Sequence, residues 1–236
     1  MKRPVFCTAG DSAALHRARQ QLEAWGYVVS ATPSAEATHL LLPVPSLEND
    51  GTIKGGGSPA EVLQALPRDV TVLGGNLPEL PCRSIDFLQD EFYLSENAAI
   101  TAQCTLNLLR TPVLDAAVLL IGYGRIGKNL APLLKVLGAN VTIATRKRVV
   151  PQPDYQWIET GAWNAAEYDI IINTAPAPLL AQQDTRYDAQ LIDLASVKGI
   201  SGDRVIWARG LPNREAPDAS GILIAKTALR YALGKE

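Results

Sequence analysis

The chain has little histidine and little cysteine. Only two histidines, His16 and His39, occur in 236 residues, and neither lies in the second half. A histidine-based metal site or a Ser-His-Asp triad is therefore not easily assembled. His16 falls in an amphipathic stretch and His39 opens an apolar run, so both read as structural. The three cysteines, Cys7, Cys82 and Cys104, form no CxxC pair. That scatter suits neither a zinc site nor a disulfide framework, and it fits a reducing cytoplasm. Cys104 reads as a small core residue, and no metal is expected. No apolar run reaches the roughly 20 residues of a membrane span. The start, MKRPVFCTAGDSAALHRARQ, has a charged amphipathic segment where a signal peptide has its apolar centre. A net charge of −2 argues against a dedicated nucleic-acid binder. The expectation is a cytoplasmic globular protein of one large or two small domains, since 47% of its residues are apolar and 19% charged.

What is present is concentrated in residues 117–145, AVLLIGYGRIGKNLAPLLKVLGANVTIAT. An apolar run, Ala117 to Ile121, enters Gly122-Tyr123-Gly124-Arg125-Ile126-Gly127. A helical stretch and a second apolar run from Asn140 follow. This is the strand, glycine turn, helix and strand of a dinucleotide-binding βαβ unit. Gly122 permits the tight turn, Gly124 the approach of a pyrophosphate, and Gly127 close packing of helix on strand. The helix N-terminus offers N–H groups and a positive dipole end to the phosphates. The second strand ends in Thr145-Arg146-Lys147-Arg148, with no acid to accept hydrogen bonds from a ribose 2′-OH. Arginine can grip a 2′-phosphate bidentately and a threonine hydroxyl can add a donor, so the expected cofactor is NADP, held by Arg146, Thr145 and Lys147. The alternative reading of that stretch is a solvated basic turn.

Elsewhere, short apolar runs alternate with helical stretches, which predicts parallel sheet. Strands are expected at Val5–Thr8, Tyr27–Ser30, Leu40–Leu42 and Val70–Leu73. Helices are expected from Asp11 or Ser12 to about Trp25 and from Pro59 onward. The fold class is therefore α/β. A Rossmann-type doubly wound parallel sheet is joined to a smaller N-terminal α/β domain of flavodoxin-like kind. The expected divisions are residues 1–89, a linking helix at 90–111, the dinucleotide-binding domain at 112–218, and a helix at 219–236 that crosses back. The apolar positions Ile222, Leu223, Leu229 and Leu233 mark the inward face of that last helix. Further strands are expected at 141–145, 169–172, 190–194 and 204–207.

Ligands of open parallel sheets sit beyond the carboxyl ends of the strands. Three such ends carry polar loops: Asn173-Thr174-Ala175-Pro176, Asp193-Leu194-Ala195-Ser196, and Gly210-Leu211-Pro212-Asn213-Arg214-Glu215-Ala216-Pro217. Nicotinamide is expected against Thr174, Ala175, Pro176, Ala195 and Ser196, with Asp193 orienting the cofactor or a loop.

The segments INTAPAPLL, LIDLAS and GLP…AP..SG, in this order, resemble the A subunit of dipicolinate synthase, and DEFYLSENAAITAQ resembles that family's linking helix. The resemblance covers residues 86–233. It departs in the third loop, where Asn213-Arg214 stands for an expected Gly-Lys pair. It implies an NADP-dependent dehydrogenase of sporulation, related to the D-2-hydroxyacid dehydrogenases, that oxidises dihydrodipicolinate to dipicolinate. It also implies a second, flavoprotein-like subunit, and separately a homo-oligomer is expected. D-2-hydroxyacid dehydrogenases need a histidine near the third loop, and this chain has none there. A substrate with two carboxylates calls for arginine, lysine or N–H-rich turns. The candidates are Arg209, Arg214 and Lys198, with Gly55, Gly56, Gly57 and Ser58 as an anion nest, or else as a plain turn. Ser95, Glu96, Asn97 and Arg214 are the candidate catalytic groups, in a cleft expected between the domains. Two other readings stay open: an NADP-linked oxidoreductase of another small carboxylate, and a scaffold protein that binds NADP without turning anything over.

Overall fold

The computed structural model describes residues 3–146 and 153–234. The chain divides into two compact units, Met1–Asn97 with Pro212–Glu236, and Ala98–Leu211. The first boundary falls inside a helix that the sequence reading treats as one linker. The second falls at Leu211 rather than at 218, so residues 212–218 belong with the first unit.

The first unit holds strands β1 (Val5–Thr8), β2 (Val28–Ser30), β3 (His39–Leu41), β4 (Thr71–Gly74) and β5 (Ser84–Asp86). They form one parallel sheet in the order β2-β1-β3-β4-β5, which is the flavodoxin-like order. Helices α1 (Ala13–Ala24) and α2 (Pro59–Gln64) belong to it, and α3 (Glu91–Leu106) begins in it. Ser12 caps α1 by accepting from the Leu15 N–H. One core cluster of this unit includes Cys7, Leu40, Leu42, Ile53 and Val72. His39 lies against Phe6 with ring centroids 5.3 Å apart. Burial, and then the charge of Arg83, hold its pKa below the ordinary histidine value.

The second unit holds β6 (Ala117–Ile121), α4 (Arg125–Val136), β7 (Asn140–Thr145), β8 (Gln156–Glu159), β9 (Ile170–Asn173), β10 (Leu180–Ala181), β11 (Gln190–Asp193), β12 (Ile200–Ser201) and β13 (Ile206–Trp207). Its main sheet is parallel and six-stranded, in the order β13-β11-β9-β6-β7-β8. Numbered within the sheet this is the mirror listing of 3-2-1-4-5-6, the doubly wound order, with its reversal between β6 and β9. β6 is uniformly apolar because it is central: Val118, Leu119, Leu120 and Ile121 are fully buried. Burial of each such side chain contributes roughly 1.5–3 kcal/mol. β10 and β12 form a separate two-stranded parallel sheet.

Two further helices follow, α5 (Leu211–Glu215) and α6 (Pro217–Ala232). The third loop of the sequence reading is thus helical over most of its length. Pro212 and Pro217 both stand in first turns, where a missing N–H costs nothing. The inward face of α6 is also corrected. Leu223, Ile224, Thr227 and Ala228 are buried, whereas Ile222, Leu229 and Leu233 are half-buried. α6 packs on α1. Gly221 sets that approach, because a Cβ there would lie 2.5 Å from the Ala14 carbonyl oxygen.

Asp90 ties α3 to α6 within the first unit. It accepts from the Tyr93 N–H at 2.6 Å, the Tyr231 hydroxyl at 2.6 Å and Arg230 at 3.3 Å. Burial pushes its pKa up, but the Tyr231, Tyr93 and Arg230 donors outweigh burial and hold it below the ordinary carboxylate value. A depressed folded pKa stabilises above the unfolded value of about 3.9, and the contribution is lost as pH falls through the folded one. Urea stability is therefore expected to drop below about pH 4. Asp90→Asn should lower the midpoint at neutral pH, by about 1–3 kcal/mol, and flatten the acid limb. An unaltered acid limb would refute the assignment.

Candidate dinucleotide site

The candidate site is built on the carboxyl ends of β6, β7, β9 and β11, all in the second unit. Gly122 has φ +97°, in the left-handed region. Its N–H donates to the Ala144 carbonyl at 2.8 Å, so the turn continues the pairing of β6 with β7. Thr174 locks the turn from the other side. Its N–H donates to the Ile121 carbonyl at 2.8 Å, and its hydroxyl lies 3.0 Å from Ile121 O and 3.2 Å from Gly122 O. The Thr174 side chain, expected against nicotinamide, is thus a fastener of the glycine turn.

The three glycines differ sharply. A Cβ on Gly127 would lie 2.3 Å from the Gly122 carbonyl oxygen, and one on Gly122 would lie 2.5 Å from Thr174 Oγ1. A Cβ on Gly124 would meet nothing within 4 Å. Gly124 is the N-cap of α4, exposed, with no side-chain cap, at an ordinary φ of −84°. Space over Gly124 beside a helix N-terminus is what a pyrophosphate requires, so the residues fit a dinucleotide. Arg125 is exposed and Ile126 half-buried. Thr145 closes β7, half-buried, and Arg146 follows it, exposed. Lys147 lies outside the described residues.

Asp193 takes a role different from cofactor contact. It is fully buried at the end of β11. One oxygen accepts from Asn173 Nδ2 and the Ala195 N–H, both at 3.0 Å. The other accepts from the Gly199 and Ile200 N–H groups at 2.6 and 2.8 Å. Four donors satisfy it within the protein, so Asp193 anchors the loop that presents Ala195 and Ser196. Asn173 is also buried and closes its own turn, with Oδ1 accepting from the Ala175 N–H at 3.0 Å. Ala175 is half-buried, and Pro176 and Ser196 are exposed at the rim.

The substrate candidates are less concentrated. Lys198 Nζ donates to Gly202 O at 3.1 Å, and Arg209 is exposed beyond β13. In the first unit, Arg214, Ser95 and Glu96 are exposed and Asn97 is half-buried. The nest at Gly56, Gly57 and Ser58 is corrected. The Gly56 N–H donates to Ile53 O, and the Ser58 N–H donates to the Glu61 carboxylate at 3.0 Å. Ser58 Oγ in turn accepts from the Glu61 N–H, completing a capping box for α2. An internal carboxylate already stands where a ligand's was expected. Gly57 accepts from the Ile53 N–H through its carbonyl.

The sequence reading missed β8 and what it carries. Trp157 stands edge-on to Tyr123, with centroids 4.9 Å apart at 84°, and Tyr155 stands edge-on to Trp157 at 6.2 Å. Glu159 pairs in register with Thr145, an acid beside the expected ribose position. The alternation Tyr155-Gln156-Trp157-Ile158-Glu159 was the available signal. Among the described residues, no cluster of three or more His, Cys, Asp or Glu side chains is placed to hold a metal ion. No helix among them is long and apolar enough to cross a membrane.

No protein-family model and no curated protein matches the chain. Solved structures do. The A subunit of dipicolinate synthase from Bacillus halodurans superposes with a TM-score of 0.78 at 18% identity, over 98% of this chain and 97% of that one. The corresponding dipicolinate synthase chain from Bacillus subtilis gives 0.73 at 18% identity, over 100% and 98%. D-lactate dehydrogenase from Escherichia coli gives 0.60 at 11% identity, over 98% and 97%. The chain shares the α/β fold of these dipicolinate synthase structures, and more distantly that of the D-lactate dehydrogenase.

Proposed function

We propose that the chain is an NADP-dependent dehydrogenase that oxidises dihydrodipicolinate to dipicolinate. The observation that carries the nucleotide half is the contrast among the glycines: two are packed against backbone or a fastened hydroxyl, and Gly124 alone of the three opens to solvent at a helix N-terminus. The likeness to two dipicolinate synthase structures supports the substrate half.

NADP⁺ held here would supply a hydride acceptor. The residues of this chain would bind and orient it. The N–H groups at the start of α4 would meet the pyrophosphate, and Thr145 and Arg146 would hold the 2′-phosphate. The loops fastened by Thr174 and Asp193 border the nicotinamide end. The substrate loses a hydride and a proton and its ring becomes aromatic, which supplies driving force. A second, flavoprotein-like subunit is part of the proposal, as is assembly of this chain into a homo-oligomer.

The experiment mixes the purified chain with NADP⁺ and dihydrodipicolinate made fresh from pyruvate and aspartate semialdehyde. Equal amounts of NADPH and dipicolinate are expected, by this chain or on adding the second subunit. Absence of both products under both conditions, with NADPH binding intact, would refute the reaction. The cofactor choice has its own test. A charge-assisted hydrogen bond contributes about 1.5–3 kcal/mol, or roughly 10–100-fold in affinity. Arg146→Asp should weaken NADPH binding by that factor and leave NADH binding within a few-fold. Equal losses for both would sink the assignment.

A further inference from the structure

The Tyr123–Trp157 contact crosses a strand. Tyr123 lies just beyond β6, and Trp157 lies on β8, while β7 runs between them in the sheet. Trp157 is in register with Ile143 of β7, two residues before Thr145. Side chains two apart on a strand share a face, and in-register neighbours share it too. Trp157, Ile143, Thr145 and Glu159 therefore line one face. Trp157 thus shares its face of the sheet with Thr145, the residue expected to meet the ribose, and carries the contact with Tyr123. Tyr123 occupies the position between the first two glycines and is half-buried.

From this we infer that the Tyr123–Trp157 pair is the wall of the adenosine end of the site, taking the purine ribose with its 2′-phosphate. The inference rests on the dinucleotide reading and deepens it. Tyr123 contacts the ligand. Trp157 is a positioning residue that holds Tyr123, and Tyr155 packs edge-on against Trp157. A purely structural pair would stabilise the edge strand and leave ligand affinity unmoved.

The probe is adenosine 2′,5′-bisphosphate, which carries the adenosine end and no nicotinamide. Calorimetry and tryptophan emission are followed on the full chain. Aromatic contact with a base contributes enough that its loss lowers affinity roughly tenfold. Tyr123→Ala and Trp157→Ala are each expected to weaken the bisphosphate and NADP⁺ by the same factor. The double variant should be little weaker than either alone, because the two act as one wall. The bisphosphate should also change the emission of the wild type, and Trp157→Phe should abolish that change while keeping a ring against Tyr123. Wild-type affinity in Tyr123→Leu and Trp157→Ala with only a lowered melting temperature, or an emission change retained in Trp157→Phe, would overturn the inference. If the wild type binds neither the bisphosphate nor NADP⁺, the dinucleotide reading falls with it. If it binds NADP⁺ but the variants do not distinguish themselves, only this inference falls.

Discussion

Asp193→Ala is expected to unfasten the loop after β11 and to cost on the order of 3–5 kcal/mol in urea unfolding. The carboxylate gathers four N–H groups, one from Asn173 and three from the backbone of residues 195, 199 and 200. Truncation leaves those donors buried, and each unsatisfied donor costs about 1–3 kcal/mol, less where water enters. Asn173 would keep its bond to Ala175 O. The site has no room for an easy rearrangement, because a Cβ on Gly199 would already lie 2.3 Å from Asn173 Nδ2 and 2.5 Å from the Ala177 carbonyl oxygen. Asp193→Asn is the informative partner. It keeps one accepting oxygen but turns an NH₂ group toward N–H donors, so a smaller but clear loss is expected. Hydrogen exchange localises the effect: the amides of 195, 199 and 200 should lose protection before those of β6 and β7. Binding of the adenosine end should survive within a few-fold, since the glycine turn is fastened by Thr174 rather than by Asp193. A loss below about 1 kcal/mol, with protection of 195–200 unchanged, would show that Asp193 is not the anchor.

Asp193 was legible as a residue that orients the cofactor or a loop, but which amides it holds was not, and the reason is where its partners lie. Its carboxylate reaches amides six and seven residues onward, through a loop whose path no local pattern specifies. The glycine turn is the opposite case. Its requirements are local: a left-handed φ at Gly122, no Cβ at Gly127, and apolar runs on both sides that only a buried central strand explains. The doubly wound order followed from the same alternation. β8 escaped because an edge strand is half-exposed and carries mixed polarity, so its residues look like loop. The stretch 211–215 escaped because Leu-Pro-Asn is turn chemistry in isolation, although proline also suits a first helical turn. At Gly55–Ser58 the deciding signal was in the sequence. Ser58-Pro59-Ala60-Glu61 is a capping box, and it claims the Ser58 N–H that an anion nest would need.

Alanine at Gly124 and alanine at Gly127 should fail in different ways, and the difference separates a ligand's demand from the fold's. At Gly127 the added methyl would lie 2.3 Å from the Gly122 carbonyl oxygen, a backbone atom held by the pairing of β6 with β7. Helix α4 must move off the strand to admit it. Overpacking of this kind costs about 1–3 kcal/mol, occasionally more. A drop in melting temperature is therefore expected before any ligand is added. At Gly124 the methyl meets nothing within 4 Å, and the φ of −84° is one that alanine adopts freely. Replacing a glycine N-cap by alanine costs on the order of 0.5–1 kcal/mol, so Gly124→Ala should unfold only slightly before the wild type and well after Gly127→Ala. If a pyrophosphate lies against that backbone, the methyl projects into its place, and NADPH affinity should fall by about tenfold or more, which is at least about 1.4 kcal/mol. The adenosine bisphosphate, which lacks the bridging pyrophosphate, should be affected less. The measurement is a calorimetric titration of both variants alongside their melting curves. Wild-type affinity for NADPH in Gly124→Ala would mean that the open space over the turn is not where the phosphates bind, whatever the stability of Gly127→Ala. A stable fold with selectively lost dinucleotide affinity would tie the openness at Gly124 to its ligand.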